Sequence, residues 1–199
     1  EASLAIARCG FPVLVITMDT NAIARMSCNP AIGGLAKGHI VREIDALGGE
    51  MGLATDAAGI QFRMLNKSKG PAVWAPRAQA DKHHYERYMK RALEMEKNLT
   101  LLQGQVVEIL VKDGTCYGVR TKDGGNFLAD FVVLTTGTFL QGLIHIGEEH
   151  HPGGRRDEPP AIGLSDSLRA HGIELVRFKT GTPPRLRKQS IAWEKTEEQ

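Results

Sequence analysis

Residues 11–17 (FPVLVIT) constrain this chain more than any other stretch. The run is β-branched and apolar at nearly every position, the pattern of a strand covered on both faces rather than one with a wet side. An Ala-rich helical pattern over residues 1–9 leads into it, and Gly10 closes that helix. Helix, glycine and buried strand make the second half of a βαβ unit. Its first strand and glycine-rich turn are therefore expected ahead of Glu1. Strands of this kind often end near an acidic side chain that holds a ribose. Here the run ends in Thr17, with Asp19 two positions on, and both are candidate cofactor-side residues.

Further along, Leu35, Ile40, Ile44 and Leu47 predict a helix that starts near Gly34 or Leu35 and is closed by Gly48 and Gly49. Residues 76–97 carry the longest helical pattern, ended by Asn98. Strands are expected at 99–103, 105–111, 116–121, 126–128 and 131–135, with turns at Asp113-Gly114 and Asp123-Gly124. A helix near 164–171 and a strand near 173–179 complete the pattern. The expected class is α/β, a parallel sheet plus a β-meander. Residues 1–180 read as one domain, and 181–199 as a linker or the start of an insertion or second domain.

The 199 residues include 42% hydrophobic and 24% charged side chains, the balance of a globular domain with a buried core. No apolar run approaches the roughly 18 residues needed to span a bilayer. Residues 1–9 lack the basic start and apolar middle of a signal peptide, so a cytoplasmic location is expected. Three cysteines, none in a Cys-x-x-Cys pair, suggest neither a disulfide framework nor a zinc site. The histidines show no ligand spacing, and no metal is expected. Net charge is only +2, yet residues 60–91 hold eight basic side chains against Asp81 and Glu86, a local +6. Such a stripe is either a solvated surface or a phosphate-facing one.

Three segments can carry chemistry. Residues 26–39 (MSCNPAIGGLAKGH) join small residues to a helix start. There the backbone can approach a flat or phosphorylated ligand, and free N–H groups favour an anion. Cys28 lies just ahead, near Lys37 and His39, a setting that favours the nucleophilic thiolate; a small buried structural cysteine is the alternative. Asn29, Gly33 and Gly34 are candidate cofactor contacts in the same segment. Residues 134–139 (LTTGTF) form a strand-to-turn passage, with Thr135, Thr136 and Gly137 as candidates. Residues 60–79 interleave Arg63, Lys67, Lys69 and Arg77 with Phe62 and Trp74, a mixture that can pair with phosphates and stack on bases. The alternative there is a loop tied down by Arg77 and Gln79.

Taken together, MSCNPAIGGLAKGHIVREIDALGGEMG, GIQFRMLNKSKGPAVWAPRAQAD, VVLTTGTFLQGLIHIGE, PGGR and KTGTPPRL resemble the MnmG/GidA family, in that family's order and over nearly the whole chain. The resemblance implies a Rossmann-like FAD-binding domain of the glutathione-reductase type that also uses NADH. It implies addition of a carboxymethylaminomethyl or aminomethyl group to carbon 5 of the tRNA wobble uridine, with methylene-tetrahydrofolate as one-carbon donor. The implied partners are the tRNA anticodon loop, the GTPase MnmE and a second copy of the chain. Cys28 matches the family's proposed catalytic cysteine, Val107 a position on the adenine side of FAD, and residues 135–138 a flavin-adjacent turn. Ala161 stands where some members place a serine against FAD; a contact through the side-chain hydroxyl is lost there, and one through the backbone survives. Two other functions share this frame: a folate- and FAD-dependent tRNA uracil-5-methyltransferase, and a small-molecule flavin oxidoreductase. A non-catalytic binding module is a third alternative.

Overall fold

The computed structural model describes residues 1–182 and 184–197. Helix α1 (Ala2–Arg8) buries Leu4 and Ala7 and ends at Gly10, whose φ of 91° suits a residue without a side chain. Strand β1 (Val13–Thr17) then pairs in parallel with β5 (Leu99–Gln103), from Val13 opposite Leu99 to Thr17 opposite Gln103. The two strands form a sheet by themselves, and Leu14 is exposed. The expectation of a strand covered on both faces therefore fails within the described residues: β1 has one neighbour strand, and its other residues are only half-buried.

Between β1 and β5 lies a subassembly of helices and antiparallel strands. Helix α2 (Lys37–Ala46) starts two residues later than expected, after Ala36 at φ 59°. It is followed by α3 (Glu50–Ala58). Strands β2 (Ala31–Gly33), β3 (Gly59–Leu65) and β4 (Ala75–Ala80) make an antiparallel sheet in the order β2-β4-β3. The helix expected from residue 76 begins only at α4 (Lys82–Glu94), because residues 75–80 are strand. Asp81 is the boundary: its carboxylate accepts hydrogen bonds from the backbone N–H of His83 and His84, each 2.9 Å, satisfying donors the first helical turn leaves free. Those bonds, that from His84 first, hold the Asp81 carboxyl below its ordinary range. Helix α4 buries Tyr85, Met89 and Leu93, spaced four apart. Tyr85 and Met89 pack on Ala54, Ala58 and Ala80, and burial pushes the Tyr85 hydroxyl up to about 12.

A second core lies under the meander β6 (Val106–Lys112), β7 (Thr115–Thr121) and β8 (Asn126–Leu128). Asp113 and Gly114 turn the first hairpin with φ of 51° and 77°, the mirror-image turn that matches strand twist. Ile109 and Val119 pack on Leu164 and Leu168 of α5 (Leu164–Ala170), and the Ser167 hydroxyl accepts the Ile109 N–H at 3.0 Å. The hairpin β9 (Leu143–Ile146) and β10 (Glu149–Pro152) is a two-stranded sheet of its own, with His145 opposite His150. Residues 131–135 and 173–179, expected as strands, are not strands. An apolar run becomes a strand only when a neighbour accepts its ladder, and among the described residues no strand pairs with either run.

Candidate active site

Cys28 ends an irregular stretch that follows a short 3-10 turn, Thr20–Ala22. The thiol is half-buried and lies 3.7 Å from the Gly181 carbonyl, toward which it donates. Arg185 donates to the Cys28 carbonyl at 2.7 Å. On the other side Asn29 Oδ1 accepts from Gln79 Nε2 at 3.1 Å, and Gln79 Oε1 accepts from Arg77 at 3.3 Å. The cysteine loop is thus tied to β4 on one flank and to residues 181–185 on the other.

Gly33 and Gly34 have φ of 82° and 99°. The group that approaches Gly33 is the Pro76 carbonyl, which would stand 2.3 Å from a Cβ; Gly34 N–H donates to the same oxygen at 2.9 Å. These two glycines therefore let β2 and the start of α2 close down on β4, and Gly38 does the same with a Cβ-to-Pro76 distance of 2.8 Å.

The central device is a clamp built by Arg155. Its guanidinium lies 4.9 Å from the Phe139 ring centre, directly after the Thr135–Thr138 turn. It also donates to the Arg25 carbonyl and to Ser27 Oγ, each at 3.4 Å, beside Cys28. Glu158 holds it through Nε at 3.1 Å and Nη2 at 2.8 Å, and also takes Arg25 at 3.1 Å. Arg25 reaches Glu86 of α4 at 3.5 Å. The two basic and two acidic groups neutralise one another, so the clamp adds geometry rather than net charge. Thr138 Oγ1 donates to the Gly154 carbonyl at 2.7 Å, fastening the same turn to the segment that carries Arg155. The cysteine loop and the threonine turn are in this way brought together through one side chain.

Other predicted residues fall in distinct places. Thr17 Oγ1 makes only a 3.5 Å contact with the Asp19 carbonyl, while Asp19 Oδ1 accepts the Asn21 N–H at 2.8 Å and caps the 3-10 turn. Val107 sits at an irregularity in β6 and packs against Gly163. The Ala161 N–H donates to Phe139 at 2.8 Å and its carbonyl accepts from Gln141 at 3.0 Å, so its backbone is already engaged by the protein. Thr135 and Gly137 are exposed, Thr136 half-buried, and nothing lies within 4 Å of where a Gly137 side chain would stand. Arg63 and Arg77 occupy directly paired positions on β3 and β4. Lys67 and Lys69 are exposed in a 3-10 turn beneath Trp74, whose indole N–H donates to the Lys67 carbonyl at 3.2 Å. The remaining basic residues of the stripe belong to α4, where Lys90 is bound to Asn21 and Glu94. Sequence reasoning missed Arg25, Arg155, Glu158 and Arg185; Arg155 and Arg185 lie in the PGGR and KTGTPPRL stretches and Arg25 three residues before the cysteine, while Glu158, three residues past PGGR, carried no signal. No helix among the described residues is long and apolar enough to cross a membrane.

A parallel strand pair joined through helices, with a β-meander, defines a Rossmann-like α/β protein of the dinucleotide-binding class. The pattern of the glucose inhibited division protein A (GidA) family matches residues 1–199, and the chain belongs to that family. It is 55% identical to the tRNA uridine 5-carboxymethylaminomethyl modification enzyme MnmG of Protochlamydia amoebophila over 199 residues, and 58% identical to that of Chlorobium luteolum over 200. Both alignments cover 100% of this chain and 32% of the relative, so the chain spans about a third of the length of these curated relatives. Aquifex aeolicus GidA superimposes with a TM-score of 0.90 at 55% identity, over 96% of this chain and 32% of that one. The GidA-related protein of Thermus thermophilus, 19% identical with a TM-score of 0.57 over 88% of this chain and 65% of that one, shares the fold alone.

Proposed function

We propose that this chain supplies the flavin-facing part of an FAD- and NADH-dependent enzyme that modifies tRNA. The reaction adds a carboxymethylaminomethyl or aminomethyl group to carbon 5 of the wobble uridine, with methylene-tetrahydrofolate as one-carbon donor. The enzyme works as a homodimer with the GTPase MnmE, in the cytoplasm. Residues 1–180 are its FAD-binding part and 181–199 lead into an insertion or second domain. The observation that carries this reading is the Arg155 clamp, which seats the cysteine loop against the threonine turn in a chain 55% identical throughout to an enzyme of that name.

The residues fit a flavin nucleotide. Gly137 stands in open space between exposed Thr138 and half-buried Thr136, with Thr135 exposed beside them, which leaves room for a flat ring, and Asp19 keeps one carboxylate oxygen outside its cap for a ribose hydroxyl. Thr17, Asn29, Gly33, Gly34, Val107 and Ala161 complete the cofactor side. When bound, FAD supplies hydride-transfer chemistry, and the protein supplies binding and orientation. Cys28 acts on the uracil ring. Its thiolate adds to carbon 6 as the carbon 5–carbon 6 π bond opens toward the carbon 4 carbonyl; the resulting enolate attacks a one-carbon electrophile through carbon 5, and loss of the carbon 5 proton then restores the double bond and expels the thiolate. Arg63, Lys67, Lys69 and Arg77 face the RNA, with Phe62 and Trp74 exposed to receive unstacked bases.

Replacing Cys28 with serine in the full-length protein tests the covalent role. Modified wobble uridine, measured by nucleoside analysis, disappears while flavin absorbance and tRNA affinity stay. Unchanged turnover removes Cys28 from the chemistry.

A further inference from the structure

An open cavity of about 370 Å³ lies where α2 and α3 meet the edge of the β2-β4-β3 sheet. Arg42, Arg63 and Arg77 line it, together with Asp45 and Asp56. None of these five side chains forms an ion pair within 4.0 Å among the described residues. That is unusual for charges sharing one cavity, and the arrangement even opposes Arg63 to Arg77 at a paired cross-strand position. Like charges placed directly opposite destabilise a sheet. Arg77 spends one donor on Gln79, and the Arg42 and Arg63 guanidinium donors remain available. Each guanidinium is a planar fork suited to a phosphate. The two carboxylates only accept hydrogen bonds, so they ask for hydroxyl or amino donors. Gly52 leaves room for the Asp45 carboxylate, since a Cβ there would stand 2.4 Å from Asp45 Oδ1. Val41, Phe62 and Met64 add apolar surface, and the volume is that of an ordinary small-ligand pocket.

An inorganic anion would satisfy the arginines and be repelled by the aspartates. A ligand with an anionic end and a donor-rich, partly apolar end satisfies both. We propose that this cavity holds one nucleotide unit, its phosphate on Arg42, Arg63 and Arg77 and its hydroxyl or exocyclic amino donors on Asp45 and Asp56. The proposal rests on the reading of Arg63 and Arg77 as RNA contacts and turns a surface attraction into a formed site. The unit comes from a free nucleotide or from a strand of RNA. The run Arg77–Gln79–Asn29 connects this cavity to the residue next to Cys28, so a strand seated here continues toward the cysteine loop.

The test uses the full-length protein, titrated calorimetrically with uridine 5′-monophosphate, uridine, inorganic phosphate and an anticodon stem-loop RNA. Arg42 was not among the RNA contacts already proposed, and it is exposed on α2, so Arg42→Ala reports on the cavity alone. Loss of one charge-assisted phosphate contact weakens binding by about tenfold or more. Arg42→Lys, which keeps the charge without the fork, loses less. Asp56→Asn narrows the preference for nucleotide over phosphate. If the mononucleotide binds and Arg42→Ala weakens it, free nucleotide is a ligand; if only the RNA binds and Arg42→Ala weakens it, the source is the strand. Unaltered affinity for every probe in Arg42→Ala and Arg63→Ala, with unaltered melting temperature, overturns the site. Lys67→Glu lies outside the cavity and separates the two readings. If it weakens RNA binding while Arg42→Ala does not, the basic face stands and the cavity falls; the reverse leaves the cavity and removes that face.

Discussion

Replacing Arg155 with methionine keeps much of the side-chain length and removes the fork. Two charge-assisted hydrogen bonds to Glu158, at 3.1 and 2.8 Å, disappear together with the contact on Phe139 at 4.9 Å. The bonds to Arg25 and Ser27 are longer, at 3.4 Å, and contribute less. Glu158 keeps Arg25 at 3.1 Å, so it is not left as an uncompensated charge. A charge-assisted bond is worth about 1.5–3 kcal/mol and a cation–π contact about 0.5–1 kcal/mol. Both bonds end on the same Glu158 oxygen, Oε2, so they count as one contact, taken at the lower end of that range beside a cation–π contact at its lower end. The local cost is therefore about 2 kcal/mol, or roughly 30-fold in the opening equilibrium of the cysteine loop. Alkylation of the full-length protein with iodoacetamide, followed residue by residue in a mass spectrometer, reads that opening at Cys28. Cys116, packed in the meander core, serves as the internal reference. Acceleration at Cys28 approaching 30-fold with Cys116 unchanged is expected, and Arg155→Lys falls between. A Cys28 rate within about twofold of the parent protein, less than 0.5 kcal/mol by the same conversion, refutes the clamp. Equal acceleration at both cysteines refutes its locality.

Gly33→Ala places a Cβ 2.3 Å from the Pro76 carbonyl at a φ of 82°; the conformation alone costs about 1–3 kcal/mol, and the collision adds to it. The melting temperature of the intact protein should fall, and an unchanged value would show that β2 yields freely. Asp81 predicts a pH dependence: with its folded-state pKa depressed, its capping stabilises α4 fully above about pH 4 and is lost as pH falls through the folded value. Amide exchange in the first turn of α4 should therefore be faster in Asp81→Ala than in the parent at pH 6, and the gap should close in acid; a gap that persists there rules out the cap.

The elements that sequence made legible were those whose determinants are local. Asp113-Gly114 dictates its own turn, and Tyr85, Met89 and Leu93 mark one face of α4 at helical spacing. Strand β4 was hidden because its buried positions are Ala75, Ala78 and Ala80, small residues that favour helices. Residues 131–135 misled for the opposite reason: they have strand composition but no described neighbour to complete the ladder. At the site, the cysteine segment announced itself through its small residues, and the family resemblance marked the threonine turn. Arg155 and Glu158 did not, since their partners at Ser27, Arg25 and Phe139 are set by tertiary packing rather than by spacing along the chain.

The parallel pairing of β1 with β5 has a consequence for synthesis. Thr17 leaves the ribosome long before its partner Gln103, and everything from the cysteine loop through α4 is made in between. The antiparallel sheet and its helices can collapse on local contacts during that interval, before the β5 side of β1 has its partner. Pairing of β1 with β5 is thus a long-range step that waits for residues 99–103, and a translational pause placed before them would delay it.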